Sequence, residues 1–368
     1  MKASTVQLFS SAALSSASLL IPNLAQGEFH ANTGDIGVIV ASYSAAIFVS
    51  SYYFGRYSDV HGRRFVLKVG LLLSAVACLL QVMAFSSVSL MAVRILVGLC
   101  AGMYPSALLA YVYDSDRKVG KFSSFGSLGF GIGVFMAGLI GVYYGIFLFS
   151  GIVMFTAFLV SLFLPFGKEV HHKVPFFPLS LFKRNFPIYV SVMFRHTGAN
   201  MIWVIYSLYL ASLGADPLFI GIVYAINALG QFVFMQYCDR YRSTALVLVG
   251  FVMSIITFPS YTLATIWWQI IPAQVMIALA WSTLYVGSVK YVMERNEEKG
   301  TAAGLLQSAL SISAILGALL GGAAAEVLGY HGCMYLATVI ALIGLVIFLV
   351  SDRWVSRNFG KDLRASGQ

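Results

Sequence analysis

Two arginines stand apart from the other basic residues of this chain, because Arg94 and Arg195 fall inside long apolar runs. A guanidinium holds five N–H donors in a planar fork and can grip carboxylate or phosphate bidentately. Arg94 lies about six residues into its run, roughly 9 Å at the helical rise; Arg195 lies about eight residues in, some 12 Å. Held away from water, such a pair suits an anionic or carbonyl-rich solute. Each can also be satisfied without one, Arg94 by backbone carbonyls and Arg195 by snorkelling. Beside Arg195, the residues His196, Asn200, Trp203 and Ser207 recur at i, i+4, i+7 and i+11 and share a helix face. Tyr224, Asn227 and Gln231 form a second stripe, Gln274, Trp281, Tyr285 and Ser288 a third, Gln307 and Ser311 a fourth. Ser11, Ser15 and Ser18 stripe the first run. Polar stripes of this kind either line a wet cavity or bond helix to helix. Trp281 and Tyr285 can stack on a ring, enclose an apolar solute, or simply pack.

Other chemistries lack their residues. No HExxH, GxSxG, paired aspartates or phosphate loop occurs, so an enzyme is not expected. The four cysteines, Cys78, Cys100, Cys238 and Cys333, show neither zinc-site nor disulfide spacing, so no metal or other cofactor is expected. No Asp or Glu lies near the middle of an apolar run. A coupling proton would have to ride on His196 or on the acids at the run edges, Asp35, Asp216 and Glu326.

The elements that must position these residues follow from composition. The chain has 368 residues, 59% apolar and 10% charged, against about 25% charged in soluble domains. Its mean hydropathy is +0.85. Apolar runs of ~20 residues number twelve, near 4–25, 34–56, 65–86, 88–112, 120–143, 145–165, 187–213, 217–238, 243–264, 266–292, 301–325 and 331–351. None alternates as a barrel strand must. The fold expected is all-α and polytopic, with twelve transmembrane helices. The first run is longer than the 7–15-residue core of a signal peptide and reads as a helix. With both termini cytoplasmic, 21 of the 23 Lys and Arg fall on the cytoplasmic side, the other two being Arg94 and Arg195. The net charge of +9 is then topology and contact with anionic lipid, and nucleic acid is not needed to explain it.

The longest connection, 166–186, carries Lys168, His171, His172, Lys173, Lys183 and Arg184 among prolines, as a linker on the membrane surface would. It separates a bundle at 1–165 from a second at 187–352, followed by a tail at 353–368. At an offset of 180, Asp59 falls on Asp239, Gly120 on Gly300 and Gly141 on Gly321. Repeated halves of this kind characterise transporters, with solute bound between them near the midplane.

Between the second and third runs the chain reads Gly55-Arg56-Tyr57-Ser58-Asp59-Val60-His61-Gly62-Arg63-Arg64. This resembles the Gly-x-x-x-Asp-x-x-Gly-Arg-Arg loop of the major facilitator superfamily, at the same place in the helix order. The resemblance covers essentially the whole chain. It implies that Asp59 contacts the start of the eleventh helix around Gly300 in the outward-open state. It also implies that Arg63 pairs with Asp114, and that Gly55, Gly62 and Arg64 complete a latch on the cytoplasmic side. The bland alternative leaves Arg63 and Arg64 setting topology only. The second copy, Asp239-Arg240-Tyr241-Arg242, has Arg242 where Gly62 aligns, which suggests a degenerate latch. Arg94 before Gly98 resembles the family's intramembrane arginine, implying a role in substrate binding or proton transfer. The fifth run, with Gly126, Gly129, Gly131, Gly133, Gly138 and Gly141, resembles the antiporter branch but lacks its proline. Gly129 with Gly133, and Gly317 with Gly321, have spacing for close helix packing.

The function expected is secondary transport of a small solute by rocking of two bundles, an anionic solute being one reading. The alternatives are a drug/proton antiporter and, from another class, an intramembrane enzyme or a non-transporting sensor. The expected setting is the plasma membrane, multi-pass, with lipids and a small molecule as partners and the monomer as functional unit.

Overall fold

The structure is a computed structural model that describes residues 2–31, 33–166, 175–176, 178–215 and 217–358. Lys168, His171, His172 and Lys173 of the central connection, Asp216, and Lys361 and Arg364 of the tail lie outside them. The described chain is helical, with no strand among the described residues. Its α-helices are α1 (Lys2–Leu19), α2 (Ile21–Gly27), α3 (Thr33–His61), α4 (Arg63–Leu80), α5 (Ser87–Met103), α6 (Pro105–Asp116) and α7 (Val119–Ile140). There follow α8 (Tyr143–Leu162), α9 (Leu179–Ser212), α10 (Pro217–Cys238), α11 (Ser243–Ser260), α12 (Ile271–Arg295) and α13 (Lys299–Asn358).

The breaks have local causes. Pro22 and Pro105 each stand in the first two positions of a new segment, where a missing N–H costs nothing, so the first and fourth runs are divided into α1–α2 and α5–α6. Ser86 caps α5 through a reciprocal box, accepting from the Ser89 amide at 3.2 Å while its own amide donates to Ser89 Oγ at 2.9 Å. Among the described residues nine segments are long and apolar enough to span a membrane. One of them, Lys299–Arg353, is 55 residues long, whereas ~20 suffice. Gly329, at φ 70, divides it into two passages. With α1–α2 and α9 added, the helices are consistent with the twelve expected.

The chain forms two compact units. The first holds Met1–Phe176 together with Glu298–Ser308, and the second Phe177–Glu297 with Ala309–Gln368. The first turns of α13 therefore group with the amino-terminal helices.

Glycines allow close helix approaches within each unit. In the first, a Cβ at Gly129 would strike the Leu8 carbonyl of α1, and one at Gly133 the Ala12 carbonyl. In the second, Gly317 and Gly321 of α13 meet Thr197, Asn200 and Met201 of α9 in the same way. The small-residue spacing serves packing in both units, in a solvent that offers little hydrophobic drive between helices. Gly129→Leu is expected to lower the melting temperature and the monodisperse yield, at a cost of about 3 kcal/mol or more from overpacking. Gly138→Leu, at a site with nothing within 4 Å, should leave both unchanged.

Candidate functional site

The loop between α3 and α4 turns on Gly62, whose φ of 104 lies where L side chains are strained. That turn leaves Asp59, on the last turn of α3, 1% exposed. Its carboxylate accepts from the Gly300 amide at 3.1 Å, the Thr301 amide at 2.7 Å and Thr301 Oγ1 at 2.9 Å. These are first-turn amides of α13, with no intrahelical acceptor, so a buried anion there satisfies them and meets the positive end of the helix dipole. Glycines make the approach possible. A Cβ at Gly55 would come within 2.5 Å of the Gly300 carbonyl oxygen.

Arg63 joins this anion to a second one. Its Nη2 lies 3.5 Å from Asp59 Oδ1, and its Nη1 forms an ion pair with Asp114 at the end of α6. Lys299 Nζ closes the cluster 2.6 Å from Asp114 Oδ1. The Asp114 side chain is 40% exposed, so its two pairs are weakened by solvent, and the buried bonds of Asp59 carry the greater weight. Arg64 is exposed beside them. Lys299 and Thr301 were not singled out by sequence reasoning, although both adjoin Gly300.

The second unit has a version of this corner without the arginine. At the same offset of 180, Ser243 and Glu294 stand where Arg63 and Asp114 do, and Ser243 Oγ donates to Glu294 Oε2 at 2.6 Å. Lys290 Nζ donates to the carbonyls of Tyr241 at 2.6 Å and Asp239 at 3.2 Å, satisfying the end of α10.

Arg94 on α5 is 3% exposed and held almost entirely by neutral groups of its own unit. Nη1 donates to Gln81 Oε1 at 3.2 Å and to the Ala17 carbonyl at 3.5 Å, and Nη2 donates to Ser18 Oγ at 3.1 Å. The guanidinium sits 4.0 Å from the ring centre of Tyr43. Backbone carbonyls thus supply only part of what the sequence alternative gave them. Gln81 and Tyr43 were missed, although a glutamine at the end of an apolar run is a visible signal.

Arg195 is deeper than its apolar run implied, because α9 begins at Leu179 and places it sixteen residues along the helix, roughly 24 Å. It lies eleven residues beyond Arg184, roughly 16 Å, and is 1% exposed, so the snorkelling alternative does not describe it. Nε donates to Ser254 Oγ of α11 at 2.8 Å, while Nη2 is buried without an acceptor. Phe258 and Trp281 flank the guanidinium at 5.5 Å and 5.7 Å. The adjacent His196 stacks on Trp281 at 4.7 Å, and Trp281 on Tyr285 at 5.3 Å. His196 Nδ1 has no partner either.

The remaining stripe residues pack against one another or bond within their own unit. Trp203 packs with Tyr206 and Tyr224, at 5.1 Å and 5.5 Å, along a cleft that Phe258 and Tyr261 also line. Asn200 Nδ2 donates to the His196 carbonyl of its own helix at 2.8 Å. Gln231 Nε2 bonds Asn227 Oδ1 at 2.5 Å, leaving Asn227 Nδ2 unpartnered. Gln274 Nε2 is bonded to Tyr206 Oη, and its Oε1 is unpartnered. Gln307 belongs with the first unit. No cluster of three or more metal-ligating side chains occurs among the described residues.

Comparison with known proteins agrees with this architecture. A family model of the Major Facilitator Superfamily matches residues 3–187 and again 188–363. An uncharacterized MFS-type transporter of Methanocaldococcus jannaschii is 24% identical over 348 residues, covering 87% of this chain and 89% of that protein. The quinolone resistance protein NorA of Staphylococcus aureus is 24% identical over 343 residues, covering 87% and 88%. The crystal structure of the human organic anion transporter MFSD10 (TETRAN) superposes with a TM-score of 0.76 at 14% identity, over 94% of this chain and 98% of that one, and so shares the fold. With the family matched over both halves, the chain belongs to the major facilitator superfamily of multi-pass membrane transporters.

Proposed function

We propose that the chain is a secondary transporter that moves a small organic anion by alternating access. The observation that carries the choice of solute is the state of the two intramembrane arginines. Arg94 and Arg195 are 3% and 1% exposed, and neither is bonded to a carboxylate. An unneutralised guanidinium is expensive inside a membrane, and a solute anion offsets that cost when it binds. The Asp59–Arg63–Asp114 cluster, with Gly55, Gly62 and Arg64, is read as the cytoplasmic latch, and a monomer as the transporting unit.

A drug/proton antiporter is the second reading, supported by the likeness to NorA. Purified protein in liposomes separates the two. The anion reading expects uptake of labelled aromatic and aliphatic carboxylates and their mutual competition, whereas uptake of lipophilic cations alone would favour the antiporter. On the distribution of Lys and Arg, both termini are read as cytoplasmic. The four native cysteines are buried, so labelling of new ones has little background. A cysteine at 28, exposed just after α2, should react with an impermeant maleimide in intact cells and one at 357 should not. The reverse pattern would invert the topology.

A further inference from the structure

The two buried arginines are engaged in opposite ways. Arg94 spends both terminal nitrogens on Gln81, Ser18 and the Ala17 carbonyl, and keeps only Nε unpartnered. Arg195 spends Nε on Ser254, its one hydrogen bond, and the Nη1–Nη2 edge makes none. With Nε taken, that edge keeps two parallel N–H bonds that match a carboxylate. Ser254 in turn donates to the Gly250 carbonyl at 2.6 Å, so it presents a lone pair to Nε and fixes the plane of the guanidinium.

The surroundings of that edge are aromatic and uncharged. Phe258 and Trp281 flank the guanidinium within 6 Å. His196, Trp281 and Tyr285 form a continuous stack, and all three side chains are only half-buried. His196 Nδ1, one residue along from Arg195, is a second polar atom with no partner. All of these groups belong to α9, α11 and α12 of the second unit. A fixed fork beside a half-buried aromatic stack fits a planar ring bearing a carboxylate.

Resting on the anion-transport reading, we propose that Arg195, positioned by Ser254 and flanked by Trp281 and Tyr285, is the binding site for an aromatic monocarboxylate. The carboxylate takes Nη1 and Nη2, and the ring lies on the exposed part of the His196–Trp281–Tyr285 stack. Arg94, its terminal nitrogens already bonded, serves the fold of the first unit.

Equilibrium binding of 2-naphthoate to the purified full-length protein, with cyclohexanecarboxylate and 2-naphthylmethanol as competitors, tests this. The proposal expects 2-naphthoate to bind and both competitors to be at least roughly tenfold weaker, since one lacks the ring face and the other the charge. Arg195→Gln should weaken 2-naphthoate by roughly tenfold or more, and Arg195→Lys, which keeps charge without the fork, by a smaller factor. Trp281→Leu should weaken 2-naphthoate but leave cyclohexanecarboxylate as it was. Arg184→Gln, at the start of α9, should bind like the parent. Unchanged affinity in a monodisperse Arg195→Lys or Arg195→Gln protein would overturn the site. Binding lost in Arg94→Gln but kept in Arg195→Gln would also overturn it, while leaving anion transport standing. Selective binding of naphthylammonium over 2-naphthoate would remove both.

Discussion

Asp59→Asn should speed hydrogen exchange at the Gly300 and Thr301 amides by at least roughly tenfold and lower transport by a similar factor, with expression near that of the parent. The reason lies in how those amides are held. As first-turn groups of α13 they have no acceptor within the helix, and the Asp59 carboxylate is what they bond. An asparagine of the same shape offers one oxygen, without charge, and turns an NH2 toward the amides it should accept from. Hydrogen bonds to a charged group contribute about 1.5–3 kcal/mol each, so losing their charge and one acceptor releases the segment. Thr301→Val removes only the Oγ1 bond and should cost about 1 kcal/mol. Asp114→Asn should be mild as well, because that carboxylate is half in solvent. Unchanged exchange in Asp59→Asn would leave the loop with topology alone.

The second large effect is a contrast in stability. Arg94→Gln should lower the melting temperature by several degrees, since it strands Gln81, Ser18 and the Ala17 carbonyl and removes the cation from the face of Tyr43. Arg195→Gln should leave the melting temperature at or above that of the parent. It gives up one hydrogen bond and with it a buried charge that no carboxylate neutralises. Transport should follow the opposite order, Arg195→Gln being folded but inactive. Thermal unfolding followed by tryptophan fluorescence, alongside liposome uptake, gives both orders. Equal destabilisation in the two variants would mean that Arg195 is as structural as Arg94.

Much of this was legible in the sequence for physical reasons. Spans are set by the thickness of the bilayer, so run length locates them without any packing detail. The cluster around Asp59 was legible because a tight turn at Gly62 and a close approach at Gly55 each demand glycine, and the family loop places both. The engagement of the two arginines was not legible. Arg94 and Arg195 look alike as isolated charges in apolar runs, and what separates them is contributed by residues distant in the chain: Ser18 and Gln81 for one, Ser254 for the other. The depth of Arg195 was understated because α9 continues through Lys183 and Arg184 to Leu179, and charged residues hide a helix from a reading based on apolar runs. Gln307 was grouped with the second-half stripes on chain position, yet the first turns of α13 pack with the first unit.

The central claim is that the buried guanidinium charge selects an anion. Its most direct measurement is uptake by purified protein in sealed liposomes, comparing labelled 2-naphthoate with a labelled lipophilic cation, in the parent and in Arg195→Gln. The account predicts saturable 2-naphthoate uptake in the parent, at least roughly tenfold reduced in the variant, with no uptake of the cation. Cation uptake that survives Arg195→Gln, with no movement of 2-naphthoate in either protein, would contradict it.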